Sequence, residues 1–265
     1  MNPMLNIATR AARQAGRVLL RYYERTEQLK IEDKGRNDFV SEVDRAAEQT
    51  IVQELRSKYP DHAILAEEGG RRGEHELVWI IDPLDGTTNY LHGFPQFAVS
   101  IGLQYRGRLE LGVVYNPLSE ELFTAVRGQG AHLNDRRLRV ANRRGLDGAL
   151  IGTGFPFRDQ RHLDRYLGML KAIMQDAAGI RRPGSASLDL AYVAAGRLDG
   201  FWELGLSPWD VAAGAVLIAE AGGTVTNLAG GSDFVYAGNL VAANLKVHQA
   251  MLRCIRPFLD DDLSS

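Results

Sequence analysis

The sequence predicts a layered, mixed α/β fold. Two observations carry that prediction. Short β-branched apolar runs alternate with segments of helical periodicity in both halves of the chain. Between Phe97 and Val140 the signals become successive short strands separated by turns, an antiparallel meander. No internal repeat, low-complexity stretch or clear linker interrupts the 265 residues. We therefore expect a single domain with an N-terminal α+β half over about 1–147, a C-terminal α/β half over about 148–259 and an acidic tail over 260–265.

In chain order, Leu5, Ala8, Ala11, Ala12, Ala15, Val18, Leu19 and Tyr22 recur at helical spacing and predict an amphipathic first helix. Polar Lys30 to Asp38 reads as a loop. A second helix follows Ser41, with Val43, Ala47, Ile51 and Leu55 on its apolar face and Asp44 near its start. It should stop before Pro60. Ala63 to Ala66 is a short strand that runs out at Glu67-Glu68-Gly69. Val78 to Ile81 is a buried strand expected to break at Asp82-Pro83, because proline has no N–H for a sheet.

The meander then runs through Phe97–Leu103, Leu109–Tyr115, Leu122–Val126 and Ala131–Leu133. In the second half, Ala149–Thr153, Phe201–Leu204 and Leu240–Ala243 read as strands. His162–Ala178, Ser187–Ala195 and Val247–Ile255 read as helices. Pro208-Trp209-Asp210 opens a further helix rich in small residues, closed by Gly222-Gly223. Asp260, Asp261 and Asp262 read as a solvated tail.

Composition narrows the function classes. A formal net charge of −2 gives no bulk attraction to nucleic acid or membrane. Arg136-Arg137, Arg143-Arg144 and Arg181-Arg182 read as basic patches or as solvated surface. The single cysteine, Cys254, forms no intrachain disulfide, which fits a reducing cytoplasm. Its helical apolar neighbours make it a packing residue. The N-terminal stretch lacks a signal peptide's apolar core, and no apolar run approaches the roughly 18–20 residues that span a bilayer.

The chemistry concentrates at Asp82-Pro83-Leu84-Asp85-Gly86-Thr87-Thr88. Carboxylates at a strand end suit hard cations such as Mg²⁺. Backbone N–H groups at a helix start suit phosphate. The alternative is an ordinary turn, since Asp, Pro and Gly all favour turns. Glu67 also follows a strand end, where ligands gather in layered α/β proteins, so it could meet Asp82 and Asp85 in space. On the residues alone, Glu67-Glu68 reads first as a solvated turn. Asp210 starts a helix among apolar residues and could cap it, hold a metal, or both.

Four segments in order resemble the inositol monophosphatase family. They are Asp38 to Asp44, Glu67-Glu68-Gly69, Asp82 to Thr88, and Trp209-Asp210-Val211-Ala212-Ala213-Gly214. Gly152 to Phe157 and Arg181 to Ala186 look like its bacterial, SuhB-type branch. The resemblance covers all but the acidic tail. It implies an αβαβα sandwich of the inositol monophosphatase / fructose bisphosphatase type, usually a homodimer, dependent on Mg²⁺ and inhibited by Li⁺. It implies Glu67, Asp82, Asp85 and Asp210 as metal ligands, joined by the Leu84 carbonyl. Glu67, Thr87 and Asp44 would serve the attacking water. Gly86 and Thr87 would hold phosphate through backbone N–H groups, and Glu203, Ser185, Ala186 and Asp210 would face the substrate.

The activity so implied is hydrolysis of inositol-1-phosphate and related small polyol phosphates. Nucleotide 3′-phosphatase and fructose-1,6-bisphosphatase activities use the same metal motif. The bacterial branch is also linked to the antitermination machinery of ribosomal RNA transcription. The resemblance therefore implies RNA polymerase and NusA-type factors as alternative partners, while the charge balance and the lack of a spanning apolar run lead us to expect no membrane partner.

Overall fold

The computed structural model describes residues 2–23, 31–35, 38–157 and 159–264. Helix α1 (Pro3–Tyr23) buries Ala8, Ala11, Ala12, Ala15 and Leu19 on one face and leaves Arg10, Arg13 and Arg17 exposed. Strand β1 (Ile31–Gly35) lies inside the stretch expected as a loop and pairs antiparallel with β2 (Asp38–Ser41), which begins at the last residue of that stretch. Lys30, at the head of that stretch, lies outside the described residues. The polar run carries no alternation from which a strand could be read. Helix α2 (Glu42–Lys58) ends short of Pro60, with acids in its first turn and bases in its last, the sense that complements the helix dipole.

Strands β3 (Ala63–Ala66), β4 (Gly70–Arg72) and β5 (Leu77–Asp85) follow, then the short helix α3 (Thr87–Leu91). The meander is β6 (Ala98–Tyr105), β7 (Arg108–Asn116), β8 (Glu121–Val126), β9 (Gly130–Leu133) and β10 (Arg136–Arg137). Antiparallel pairing links each to the next, as the sequence predicts for its main strands. The second half contributes β11 (Leu150–Thr153), α4 (Leu163–Met174), β12 (Gly179–Arg181) and α5 (Ala186–Ala194). It continues with β13 (Gly200–Glu203), α6 (Pro208–Glu220), β14 (Thr224–Thr226), β15 (Leu240–Ala243), α7 (Leu245–Ile255) and α8 (Asp261–Ser264).

The elements stack in five layers. Helices α1 and α2 cover one face of an eight-stranded sheet ordered β10-β9-β8-β7-β6-β5-β3-β4. Helices α5 and α6 lie between that sheet and a five-stranded sheet ordered β12-β11-β13-β15-β14. Helices α4 and α7 pack together, with α7 against the second sheet. Three apolar clusters fill the interfaces. The small residues of α6 allow a close approach: a Cβ on Gly112 of β7 would come within 2.3 Å of the Ala213 carbonyl oxygen. Among the described residues no helix is long and apolar enough to cross a membrane.

Two further expectations are corrected. The strand expected to break at Pro83 continues to Asp85. Asp82 pairs with Ser100 and Asp85 with Ala98, so three steps on β5 oppose two on β6. This bulge accommodates Pro83, because a bulged position gives up its place in the ladder. The acidic tail is not wholly solvated. Asp261 and Asp262 are exposed, but Leu263 is only 1% exposed and joins the cluster beneath α4 and α7.

Candidate metal and phosphate site

Residues three apart on a regular strand point to opposite faces of a sheet. The bulge adds the residue that restores parity, and Asp82 and Asp85 reach the same place. Asp82, Asp85 and Asp210 each bring a carboxylate oxygen within 4.8 Å of the others. Asp210 arrives from α6, in the other half of the chain. Glu67 follows β3, whose parallel register with β5 is extended by its own N–H donating to the Ile81 carbonyl at 3.1 Å. Its carboxylate stands outside the three-way cluster but lines the same cavity.

Burial, and then the charges of Glu67, Asp85 and Asp210, push the Asp82 carboxyl well above the usual carboxylate range. The Leu84 N–H donates to Asp82 Oδ1 at 2.9 Å, a smaller opposing effect. Burial also raises Asp85, opposed by hydrogen bonds from Ser185 and Ser187. The Ser185 hydroxyl donates to Asp85 Oδ2 at 2.6 Å, the Ser187 N–H at 2.7 Å and the Ser187 hydroxyl at 2.5 Å. Two buried acids and one half-buried acid this close repel one another, and a cation between them would turn repulsion into binding. All the cluster's donors are carboxylate oxygens, the set that hard divalent cations take. The residues present therefore fit a magnesium-type ion.

The second part of the site is the turn after β5. Gly86 is left-handed, with φ 92° and ψ 35°, and caps the start of α3. A Cβ there would come within 2.8 Å of the Gln96 carbonyl oxygen, so glycine is required on both counts. The Thr87 hydroxyl lies 3.0 Å from the Leu84 carbonyl and 3.3 Å from Asp44 Oδ1, and can donate to either. Asp44 itself is fully buried. Asp210 acts as a helix cap, as the sequence allowed. Its Oδ2 accepts from the Ser207 N–H at 2.7 Å within a capping box.

A cavity of about 760 Å³ is lined by Glu67, Asp82, Asp85, Gly86, Thr87 and Asp210. Glu203, Ser185 and Ala186 also line it. The Ser185 hydroxyl is engaged by Asp85, so this residue positions a carboxylate as well as lining the cavity. Glu203 lies against Gly154, where a Cβ would come within 1.8 Å of its carboxylate. Sequence reasoning missed Ser187 and Asn89. The Asn89 amide donates to the Gln96 and Pro183 carbonyls at 2.8 Å and ties the α3 turn to the segment before α5. It also missed Asp189, whose Oδ1 is buried without a hydrogen-bond partner. Burial, and then Glu203 and Asp85, push that carboxyl well above the usual range. An acid set in the apolar run Leu188-Asp189-Leu190 was the signal available.

Residues 1–259 match the inositol monophosphatase family. A Pseudomonas aeruginosa protein named Nus factor SuhB is 56% identical over 269 residues, covering 99% of each chain. The crystal structure of the extragenic suppressor protein SuhB of Bartonella henselae superposes with a TM-score of 0.93 at 46% identity, covering 96% of this chain and 99% of that one. An inositol monophosphatase from Anabaena (Nostoc) gives a TM-score of 0.83 at 40% identity over 96% and 95% of the two chains. The resemblance read from the four sequence segments and the layered α/β class are both borne out.

Proposed function

The chain belongs to the inositol monophosphatase family, and we propose on that premise that it is a Mg²⁺-dependent phosphomonoesterase acting on inositol-1-phosphate and related small polyol phosphates. The family supports phosphatase activity in general. The choice of inositol phosphate draws on the Anabaena relative and the cavity's polar, hydroxyl-accepting wall. The observation that carries the reading is the convergence of Asp82, Asp85 and Asp210 from two halves of the chain.

Glu67, Asp82, Asp85, Asp210 and the Leu84 carbonyl are the groups that would hold Mg²⁺. Bound there, the ion supplies charge neutralisation for the phosphate, a lowered water pKa and stabilisation of the leaving alkoxide. Glu67 and Thr87 orient the attacking water, and buried Asp44 positions the Thr87 hydroxyl. Backbone N–H groups of Gly86 and Thr87 hold the phosphate, because first-turn N–H groups have no helical partner. Glu203 accepts hydrogen bonds from substrate hydroxyls.

Phosphate release at saturating Mg²⁺ from inositol-1-phosphate, adenosine 3′,5′-bisphosphate and fructose 1,6-bisphosphate tests the reading. Release strongest on inositol-1-phosphate is expected; inactivity on all three would sink it. A second reading rests on the Pseudomonas relative's name: the chain acts as a partner of the transcription antitermination machinery. Cells carrying Asp82→Asn separate the two. A retained phenotype favours the partner role; loss together with activity favours the phosphatase.

A further inference from the structure

The family match ends at residue 259, yet the residues after it reach the cavity. The segment is tied down at several points. Asp260 Oδ1 accepts the Leu263 N–H at 3.0 Å, and Asp260 Oδ2 lies 2.9 Å from Arg165 Nε on α4. A further Arg165 nitrogen donates to the Phe258 carbonyl at 3.1 Å. Leu263 is buried in the apolar cluster that includes Tyr166, Trp202 and Leu204. Asp262 and Leu263 thereby form part of the cavity wall, and the Asp262 charge acts on Arg161 of the same wall.

The layers give this wall a direction. The metal-type cluster sits where the eight-stranded sheet meets α6. Leu263 belongs to the opposite cluster, between the second sheet and the α4–α7 layer. The cavity runs between them. A phosphate held at Gly86 and Thr87 would direct the rest of its ester toward Glu203 and, beyond it, toward Asp262 and Leu263.

We propose that residues 260–264 are a specificity strap that sets the size of alcohol the site admits. This rests on the phosphatase reading above. Leu263 anchors the strap, and Asp262 presents a carboxylate that accepts hydroxyl hydrogen bonds from a small polyol. A bulky leaving group meets the strap and is excluded.

The test compares kcat/KM for adenosine 2′-monophosphate and for inositol-1-phosphate in the intact protein, in a truncation after Leu259 and in Asp262→Ala. Truncation should raise the nucleotide-to-inositol ratio by roughly tenfold, the discrimination that a few wall contacts supply. Most of the change should fall in KM for the nucleotide. Asp262→Ala at this exposed position removes the acceptor and opens the wall together, so it should move the ratio the same way by a smaller factor, and it decides the matter if the truncated chain fails to fold. A ratio unchanged in the folded truncation, or in Asp262→Ala, overturns the strap. An intact protein inactive on both esters fails the phosphatase reading and removes the strap with it. Active protein with an unmoved ratio fails the strap alone.

Discussion

Replacing Asp82 by Asn should make the metal-free protein more stable, although it removes a residue at the centre of the site. Each like-charged pair in the cluster lies within 4.8 Å. At an effective dielectric of about 20, that distance corresponds to roughly 3 kcal/mol of repulsion per ionised pair. Two partners would then cost Asp82 about 7 kcal/mol if it stayed charged. Protonation limits the cost. Keeping neutral at pH 7 a carboxyl whose ordinary pKa is near 4 costs about 4 kcal/mol, so this smaller figure wins. Asn avoids it, and its amide oxygen can still accept the Leu84 N–H. In excess chelator we expect a gain of about 2–4 kcal/mol after the amide's own burial is discounted. For a chain of this size that is a rise in Tm of roughly 5–10 °C. Mg²⁺ should reverse the order, because only the wild type gains binding energy, about 4.1 kcal/mol at a thousandfold excess over Kd, which exceeds the variant's lead. Thermal unfolding of both proteins, with chelator and with Mg²⁺, reads the crossover. A variant less stable than wild type in both conditions, or equal Mg²⁺ shifts in the two proteins, would refute the clustered-charge argument.

Ser187→Ala removes one of three donors to Asp85 and should weaken Mg²⁺ dependence by about tenfold, with kcat largely recovered at saturating metal; an unchanged half-saturating Mg²⁺ concentration would count against the role. Gly154→Ala must displace Glu203, so KM for inositol-1-phosphate should rise by roughly tenfold or more while the Mg²⁺ shift in Tm persists. A normal KM would remove Glu203 from the substrate wall. Burial lowers the pKa of His248, and burial followed by the neighbouring His75 lowers that of His62. In both, the folded pKa lies below the unfolded value near 6.5, so their stabilising effect is present above pH 6.5 and is lost as pH falls through the folded values. Tm should therefore drop below pH 6.5, and His248→Gln should flatten the drop; an identical slope in the variant contradicts it.

The main strands and helices were legible because periodicity reports burial. Ala8 to Leu19 marks a helix stripe, and Val78 to Ile81 marks a strand buried on both faces. What escaped had no such pattern. Strands β1, β2, β4 and β12 are polar or too short to show alternation. The run of β5 past Pro83 depends on a bulge, and a bulge is a relation between two strands that one strand's sequence does not display. Leu263 was hidden by the three acids before it. At the site, Asp82, Asp85 and Asp210 were readable as acids at element ends. Their meeting follows from α6 packing on β6 and β7, a long-range contact for which the small residues of α6 were the local trace. Ser187 and Asn89 were not readable, because their significance lies wholly in what they touch.

The carboxylate cluster is proposed to bind a divalent cation on which phosphate-ester hydrolysis depends. The most direct test is a Mg²⁺ titration of the chelated protein, following phosphate release from inositol-1-phosphate. No release is expected before Mg²⁺ is added, then a saturable rise that Asp210→Asn displaces to far higher concentrations. Release at full rate in excess chelator, or one titration curve shared by wild type and Asp210→Asn, would contradict it.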